Sequence, residues 1–150
     1  MSLDILFHAE WQPTDEQKKT IVLPQMFTDH YGTFENNLPF EELSVIAFSV
    51  GNLNGTHAIY DWMLERIPEA EDNLRFEIEV PQIELLLQCI DVVLTDVSYG
   101  KDLIPNGGLG LDDHYGDEYI FELEETKELL EKILTLNPRH LLRFYCYVSY

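Results

Sequence analysis

The strongest constraint on the fold is an apolar stripe within residues 81–94. Its members recur at the i, i+3, i+4, i+7 spacing of one helix face, and they are Ile83, Leu86, Leu87, Ile90, Val93 and Leu94. Pro81 suits the first turn of such a helix, where its missing N–H costs nothing. The stripe therefore predicts an amphipathic helix with one buried face.

Three segments have the patterns of strands. Arg75–Val80 alternates polar and apolar residues, and 140–150 (HLLRFYCYVSY) is rich in β-branched and aromatic side chains. We expect these two segments to pair in a small sheet. Leu3–Trp11 (LDILFHAEW) is either a further strand or an extended segment that packs its aromatic side chains.

The remaining segments divide between helices and loops. Residues 40–50 predict a helix, although the run at 45–48 fits a buried strand equally well. A helical pattern follows at 58–66, whereas 20–40 is expected to be irregular and 96–117 to be a long glycine-containing loop.

The last helix is predicted from Asp117, as its cap, to about Leu136, before Asn137-Pro138. Its inner face carries Ile120, Leu123, Leu130, Ile133 and Leu134. The chain is thus predicted to be one acidic globular domain over 1–150, with an α+β fold dominated by helices and a small antiparallel sheet.

The charge balance limits the possible partners. The 28 acidic residues outnumber 9 basic ones, giving a formal net charge of −19. Such a field repels nucleic acid and anionic membranes, and the sequence has no basic patch to overcome it. We expect neither as a direct partner, and a basic protein surface is the partner that this charge favours. Acidity that serves only solubility is the alternative.

The chain is expected to be cytoplasmic. It has no apolar run of about 20 residues, and its acidic start lacks the basic region of a signal peptide. Cys89 and Cys146 are expected to be reduced thiols. The sequence leaves open whether the protein is a monomer or a homodimer.

Two rows of carboxylates are predicted on the last helix. Glu118, Glu122 and Glu125 follow the i, i+4, i+7 spacing, and Glu124, Glu128 and Glu131 repeat it. Neighbours in a row lie about 5–6 Å apart at Cβ, comparable with successive phosphates of a nucleic-acid strand. The helix is therefore predicted either to mimic nucleic acid on a basic surface or to be an ordinary solvated face.

The loop before this helix gathers Asp112, Asp113, His114 and Asp117, which could hold a divalent cation. It lacks calcium-loop spacing, so a helix entry or a partner-contact loop are the alternatives. No nucleophile motif, metal-ligand spacing or phosphate loop occurs elsewhere in the sequence. We therefore predict no cofactor, and a binding protein rather than an enzyme.

Several motifs resemble an uncharacterised family of bacteriophages and related bacterial loci. Val50, Gly51, Ile59 and Trp62 match its Val-Gly-aromatic-Trp-Arg-Lys-Ala-Asn-x-Ile-His-x-Trp-Phe helix, and the sequences at 103–105 and 115–119 resemble its Leu-Pro loop and Tyr-Asp-Glu-Tyr helix entry. Where the family has its basic pair and its Asn-x-x-His, this chain has Asn54-Gly55 and His57 to Tyr60. The resemblance covers about two-thirds of the chain and implies a shared fold and a mobile-element origin.

Charge and resemblance together predict an inhibitor of a host defence protein, of the anti-CRISPR or anti-restriction type. It would occupy a basic surface with Asp112, Asp113, Glu118, Glu122, Glu125 and Glu128. The alternatives are an immunity protein for a basic toxin and a metal-assisted enzyme that uses the 112–117 loop.

Overall fold

A computed structural model describes residues 3–12, 14, 45–107, 115–137 and 141–149 of the chain. Four strands form one antiparallel sheet: β1 (Asp4–Trp11), β2 (Ile46–Asn54), β3 (Arg75–Ile78) and β4 (Leu142–Ser149). Their order across the sheet is β2-β1-β4-β3. The final strand therefore pairs with the Phe76 strand, as predicted, and also with β1 along its whole length.

Strand alternation separates the two faces of the sheet. Side chains at alternate positions of β1, such as Ile5, Phe7 and Ala9, are fully buried, and those of β4, such as Phe144 and Cys146, join the same core. This buried side is the inner sheet face, and the opposite side is the outer sheet face. Helices pack over the inner face: α1 (His57–Arg66), α2 (Val80–Thr95), the short α3 (Gly100–Leu103) and α4 (Asp117–Leu136).

The predicted α+β class with a small antiparallel sheet is confirmed, and helical residues outnumber strand residues in the described part. The stripe helix is confirmed as α2, with Ile83, Leu86, Ile90 and Val93 fully buried. Both cysteines are free thiols, as predicted, and Cys146 lies in the core. Among the described residues, no helix is both long and apolar enough to cross a bilayer.

The helical prediction for 40–50 is wrong where the structure describes it, because Ile46–Asn54 is strand β2 and the alternative of a buried strand is correct. Pairing with β1 decides this, since it places Phe48 and Val50 in the core. A bulge opposite Phe7 and His8 then shifts the alternation, so that Leu53 also points inward. Residues 20–40 lie outside the described residues.

In the described part of the segment at 96–117, residues 96–107 are less irregular than predicted, and residues 108–114 lie outside the described residues. A 3-10 turn at Val97–Tyr99 leads directly into α3, and Ile104 is fully buried behind them. Asp117 is not the cap of α4: Gly116 holds that position and Asp117 is the first helical residue. The Asp117 charge still lies in the first turn, where the helix dipole favours it.

Candidate protein-interaction site

The inner face of α4 determines which glutamates face outward. Its buried side chains follow helical spacing, and they are Tyr119, Leu123, Thr126, Leu130 and Ile133. They pack the helix against α2 on one side and against β2 on the other. The side of α4 that faces β2 carries Glu118, Glu122, Glu125 and Glu128, so the four helical residues of the predicted partner site share one surface.

Two adjoining depressions separate this side of α4 from β2. The first has a volume of about 360 Å³ and is lined by Asn54, Asp117, Glu118, Phe121, Glu122 and Glu125. The second has a volume of about 270 Å³ and is lined by Val50, Gly51, Asn52, Leu53, Glu125, Glu128, Leu129 and Lys132. Because Glu125 lines both, they form one continuous feature, which we call the acidic groove.

Gly51 allows the close approach of α4 and β2 at the second depression. A Cβ atom on residue 51 would overlap the Leu129 side chain, so only glycine leaves that side chain its present position. Lys132 Nζ donates a hydrogen bond of 3.3 Å to the Val50 carbonyl in the same place. Gly51 therefore has a packing role here.

The electrostatics of the groove centre on Glu122. Burial of its carboxyl group, with repulsion from Glu118 and then Glu125, raises the pKa of Glu122 to about 7. Lys127 does not relieve this repulsion, because its ammonium group lies 2.6 Å from the Asp91 carboxylate of α2. Lys132 lines only the second depression, and the described lining of the first contains no cationic side chain. The first depression therefore holds concentrated negative charge that a cationic group from outside would stabilise.

Phe121 interrupts this row of carboxylates with an apolar surface. Its side chain is 59% exposed, although aromatic residues of this size are usually buried. It lines the first depression together with Glu118 and Glu122. An exposed aromatic ring beside carboxylates suits a cationic side chain of a partner, because the ring face and the charges both attract it.

The Tyr115-to-Tyr119 motif anchors the start of α4. The Tyr119 hydroxyl donates a 2.8 Å hydrogen bond to the buried Ile104 carbonyl, and the Tyr115 hydroxyl accepts one of 3.2 Å from the Asn106 N–H. The two rings meet edge to face, with centroids 5.0 Å apart. These contacts fix the start of α4 and so help to position the acidic groove.

The outer sheet face is a surface that the sequence analysis missed. The central strands carry His8, Tyr145 and Tyr147 there, and Arg75 and Arg143 lie among them. Alternation in RFEI and LRFYCYVS already places these side chains opposite the core residues, so the signal was present in the sequence.

Ion pairs and ring contacts link the outer sheet face. Arg75 reaches across β4 to Glu10, with 2.6 Å between Nη2 and Oε1, and its guanidinium lies 4.0 Å from the Tyr145 ring centroid. Arg143 makes a two-pronged pair with Glu77, at 2.9 and 2.6 Å. The two arginines are about half exposed, at 45% and 51% of their side chains. This face therefore combines aromatic surface with locally balanced charge.

The predicted cation ligands are only partly described. Asp112, Asp113 and His114 lie outside the described residues, whereas Asp117 lies at the mouth of the acidic groove. Within the described ranges, no cluster of three or more His, Cys, Asp or Glu side chains could hold a metal ion.

Comparisons with protein-family models, curated protein sequences and solved structures found no match to this chain. The resemblance to the phage family therefore stays a prediction.

Proposed function

We propose that this domain is a stoichiometric binding protein that docks its acidic groove on a basic protein surface. The observation that carries the proposal is that Glu118, Glu122, Glu125 and Glu128 line one groove around an exposed phenylalanine. Charge of this kind speeds and orients association, while the aromatic side chain adds affinity.

The class of partner that fits is a protein that handles nucleic acid, such as a restriction or CRISPR nuclease of a host. Residues 118–128 span about 15 Å of helix axis, so the four carboxylates fall about 5 Å apart along it. A basic channel built for the closely spaced phosphates of a nucleic-acid strand would accept such a row. Occupying the channel would inhibit the nuclease without any chemistry by this domain.

The decisive experiment compares two triple charge reversals with the wild-type protein. One variant carries Glu118→Lys, Glu125→Lys and Glu128→Lys in the groove. The control carries Glu69→Lys, Glu71→Lys and Asp72→Lys, which are exposed between α1 and β3. Both variants change the net charge equally, so any difference between them reports the groove.

Each protein is used for affinity capture from host lysate at about 50 mM and about 500 mM NaCl. We expect the wild type and the control variant to capture a basic protein at low salt, and the groove variant to capture none of it. The activity of that protein on nucleic acid should fall to a minimum when the wild-type domain is added at equimolar concentration. Equal retention by the groove variant would contradict the proposal. A captured toxin would instead support the immunity-protein alternative, which uses the same surface.

Proton release provides a second readout of the same contact. A lysine or arginine of the partner stabilises the charged form of Glu122, so binding should expel the proton that the raised pKa retains near neutral pH. Affinity should therefore increase as the pH rises through about 7, and Glu122→Gln should abolish this dependence. Calorimetry in buffers of different ionisation enthalpy measures the proton count directly.

A further inference from the structure

Charge is distributed very unequally over the described part of the chain. The segments outside the sheet, at 56–74, 79–107 and 115–137, carry 17 acidic and 4 basic side chains, a net charge of −13. The outer sheet face carries Asp4, Glu10 and Glu77 against Arg75 and Arg143, a net charge of −1. The acidic groove belongs to the first group, so the outer sheet face is a separate, nearly neutral surface.

The outer sheet face carries two of the residue types that protein interfaces favour. Tyrosine and arginine are enriched where protein surfaces meet, and here both tyrosines lie on the central strand β4. The rings of His8 and Tyr147 are in contact, with centroids 4.5 Å apart, and Arg75 donates a 2.7 Å hydrogen bond to the Tyr147 hydroxyl. These contacts fix the side chains in place, which reduces the entropy lost when a partner covers them.

Charge decides between the possible occupants of this face. A basic partner is drawn to the helical segments, where the negative charge is concentrated, and an acidic partner is repelled by the molecule as a whole. A nucleic-acid strand is repelled likewise, and the Tyr145 ring on which a base would stack is already covered by the Arg75 guanidinium. A surface that is itself nearly neutral and aromatic fits best, and a second copy of this chain offers one.

We propose that two copies of this chain form a homodimer through their outer sheet faces. This proposal does not depend on the function assigned to the acidic groove. Face-to-face sheets lie about 10 Å apart, and each helix layer adds about 10 Å on the far side. The acidic layers of the two copies are then about 30 Å apart, several times the screening length of about 8 Å at physiological salt.

The size of the face predicts how tight this dimer is. Three strands of about eight residues and one of four, spaced about 4.8 Å apart, cover roughly 450 Å² on each copy. The pair buries about 900 Å², less than the roughly 1,200 Å² at which stable specific interfaces begin, so the dimer is weak and exchanges with monomer. The two acidic grooves remain on its outside, one on each copy.

The test is sedimentation equilibrium of the full chain from micromolar to hundreds of micromolar concentrations, at about 50 mM and about 500 mM NaCl. We expect a monomer–dimer equilibrium that shifts toward dimer at high salt, because screening weakens the long-range repulsion between two chains of charge −19. Binding through the acidic groove has the opposite salt dependence, so failure of one proposal does not imply failure of the other. A monomer under all conditions would overturn the homodimer.

Matched serine substitutions locate the interface. Ser49 is exposed on β2 opposite His8, and Ser98 is exposed in the 3-10 turn beyond α2. Ser49→Glu should raise the dimer dissociation constant about tenfold or more, whereas Ser98→Glu, with the same added charge, should change it by less than about twofold. Circular dichroism checks folding, and Ala47→Glu, which is exposed on β2 opposite Glu10, replaces Ser49→Glu if that variant unfolds. Equal weakening at the two serines would place the interface elsewhere.

Discussion

Replacing Glu122 by glutamine tests the electrostatics of the acidic groove directly. Burial and the charges of Glu118 and Glu125 raise the pKa of this carboxyl group from 4.5 to about 7. The folded chain therefore holds a proton that the unfolded chain releases over this pH range. The resulting contribution to stability is fully present below about pH 4.5 and is lost as the pH rises through about 7.

The size of the effect follows from the difference of about 2.5 between the two pKa values. It corresponds to about 3 kcal/mol at 1.36 kcal/mol for each pKa unit. Because the side chain is only half-buried and solvent screens its repulsion from the two neighbouring carboxylates, we expect about 1–2 kcal/mol. Glutamine keeps the shape without the charge, so Glu122→Gln should be more stable than wild type by that amount above neutral pH.

Urea unfolding at about pH 5.5 and about pH 8.5, followed by circular dichroism, measures this difference. The gain in unfolding free energy should be about 1 kcal/mol larger at the higher pH. Glu124→Gln is the control, because it removes the same charge from an exposed position of α4. If Glu122→Gln changed stability equally at both pH values, or destabilised the protein at the higher one, the reasoning would be refuted.

Three further substitutions test the packing that holds the groove. Gly51→Ala should destabilise the fold by about 1 kcal/mol in thermal unfolding, because the half-buried Leu129 side chain must move aside, and the double variant with Leu129→Ala should show less than the sum of the two single losses. Tyr119→Phe removes the donor to the buried Ile104 carbonyl and should lower the unfolding free energy by about 1–2 kcal/mol in urea. Asn137→Ala removes a buried amide that bridges the end of α4 to the first residue of β4. It should lower the unfolding free energy in urea by about 2 kcal/mol, and no loss would mean that water replaces the bridge.

The spacing of apolar residues was sufficient to predict those helices and strands that bury one regular face. The stripe from Ile83 to Leu94 predicted α2 because each of its members lies at helical spacing, and Phe76 and Ile78 predicted β3 by their alternation. For residues 46–50 the apolar pattern fits both a helix and a strand. Pairing with β1 decides for a strand, and β1 lies far away in sequence. Tertiary pairing therefore overrode a local helical pattern.

The candidate site was predictable only in part, for a similar reason. Helical spacing alone brought Glu118, Glu122 and Glu125 into one row. The same spacing put Glu128 in the other row, with Glu124 and Glu131. In the structure Glu128 lines the groove with the first row, because the position of β2 beside the helix decides which glutamates do so. The outer sheet face was missed because Arg75 lies far from Arg143 and Tyr145 in sequence and contacts the Tyr145 ring only across strands.

The strand order has a consequence for how the chain acquires its structure during synthesis. The two central strands, β1 and β4, are the first and last of the described elements, and Asp4 lies opposite Ser149. The middle of the sheet therefore cannot close until the ribosome has released the end of β4, and such distant pairing folds slowly. Until then the edge of β1 that pairs with β4 stays open to other nascent chains. We expect repulsion between negative charges to keep such incomplete chains apart, so acidity would also limit aggregation before folding is complete.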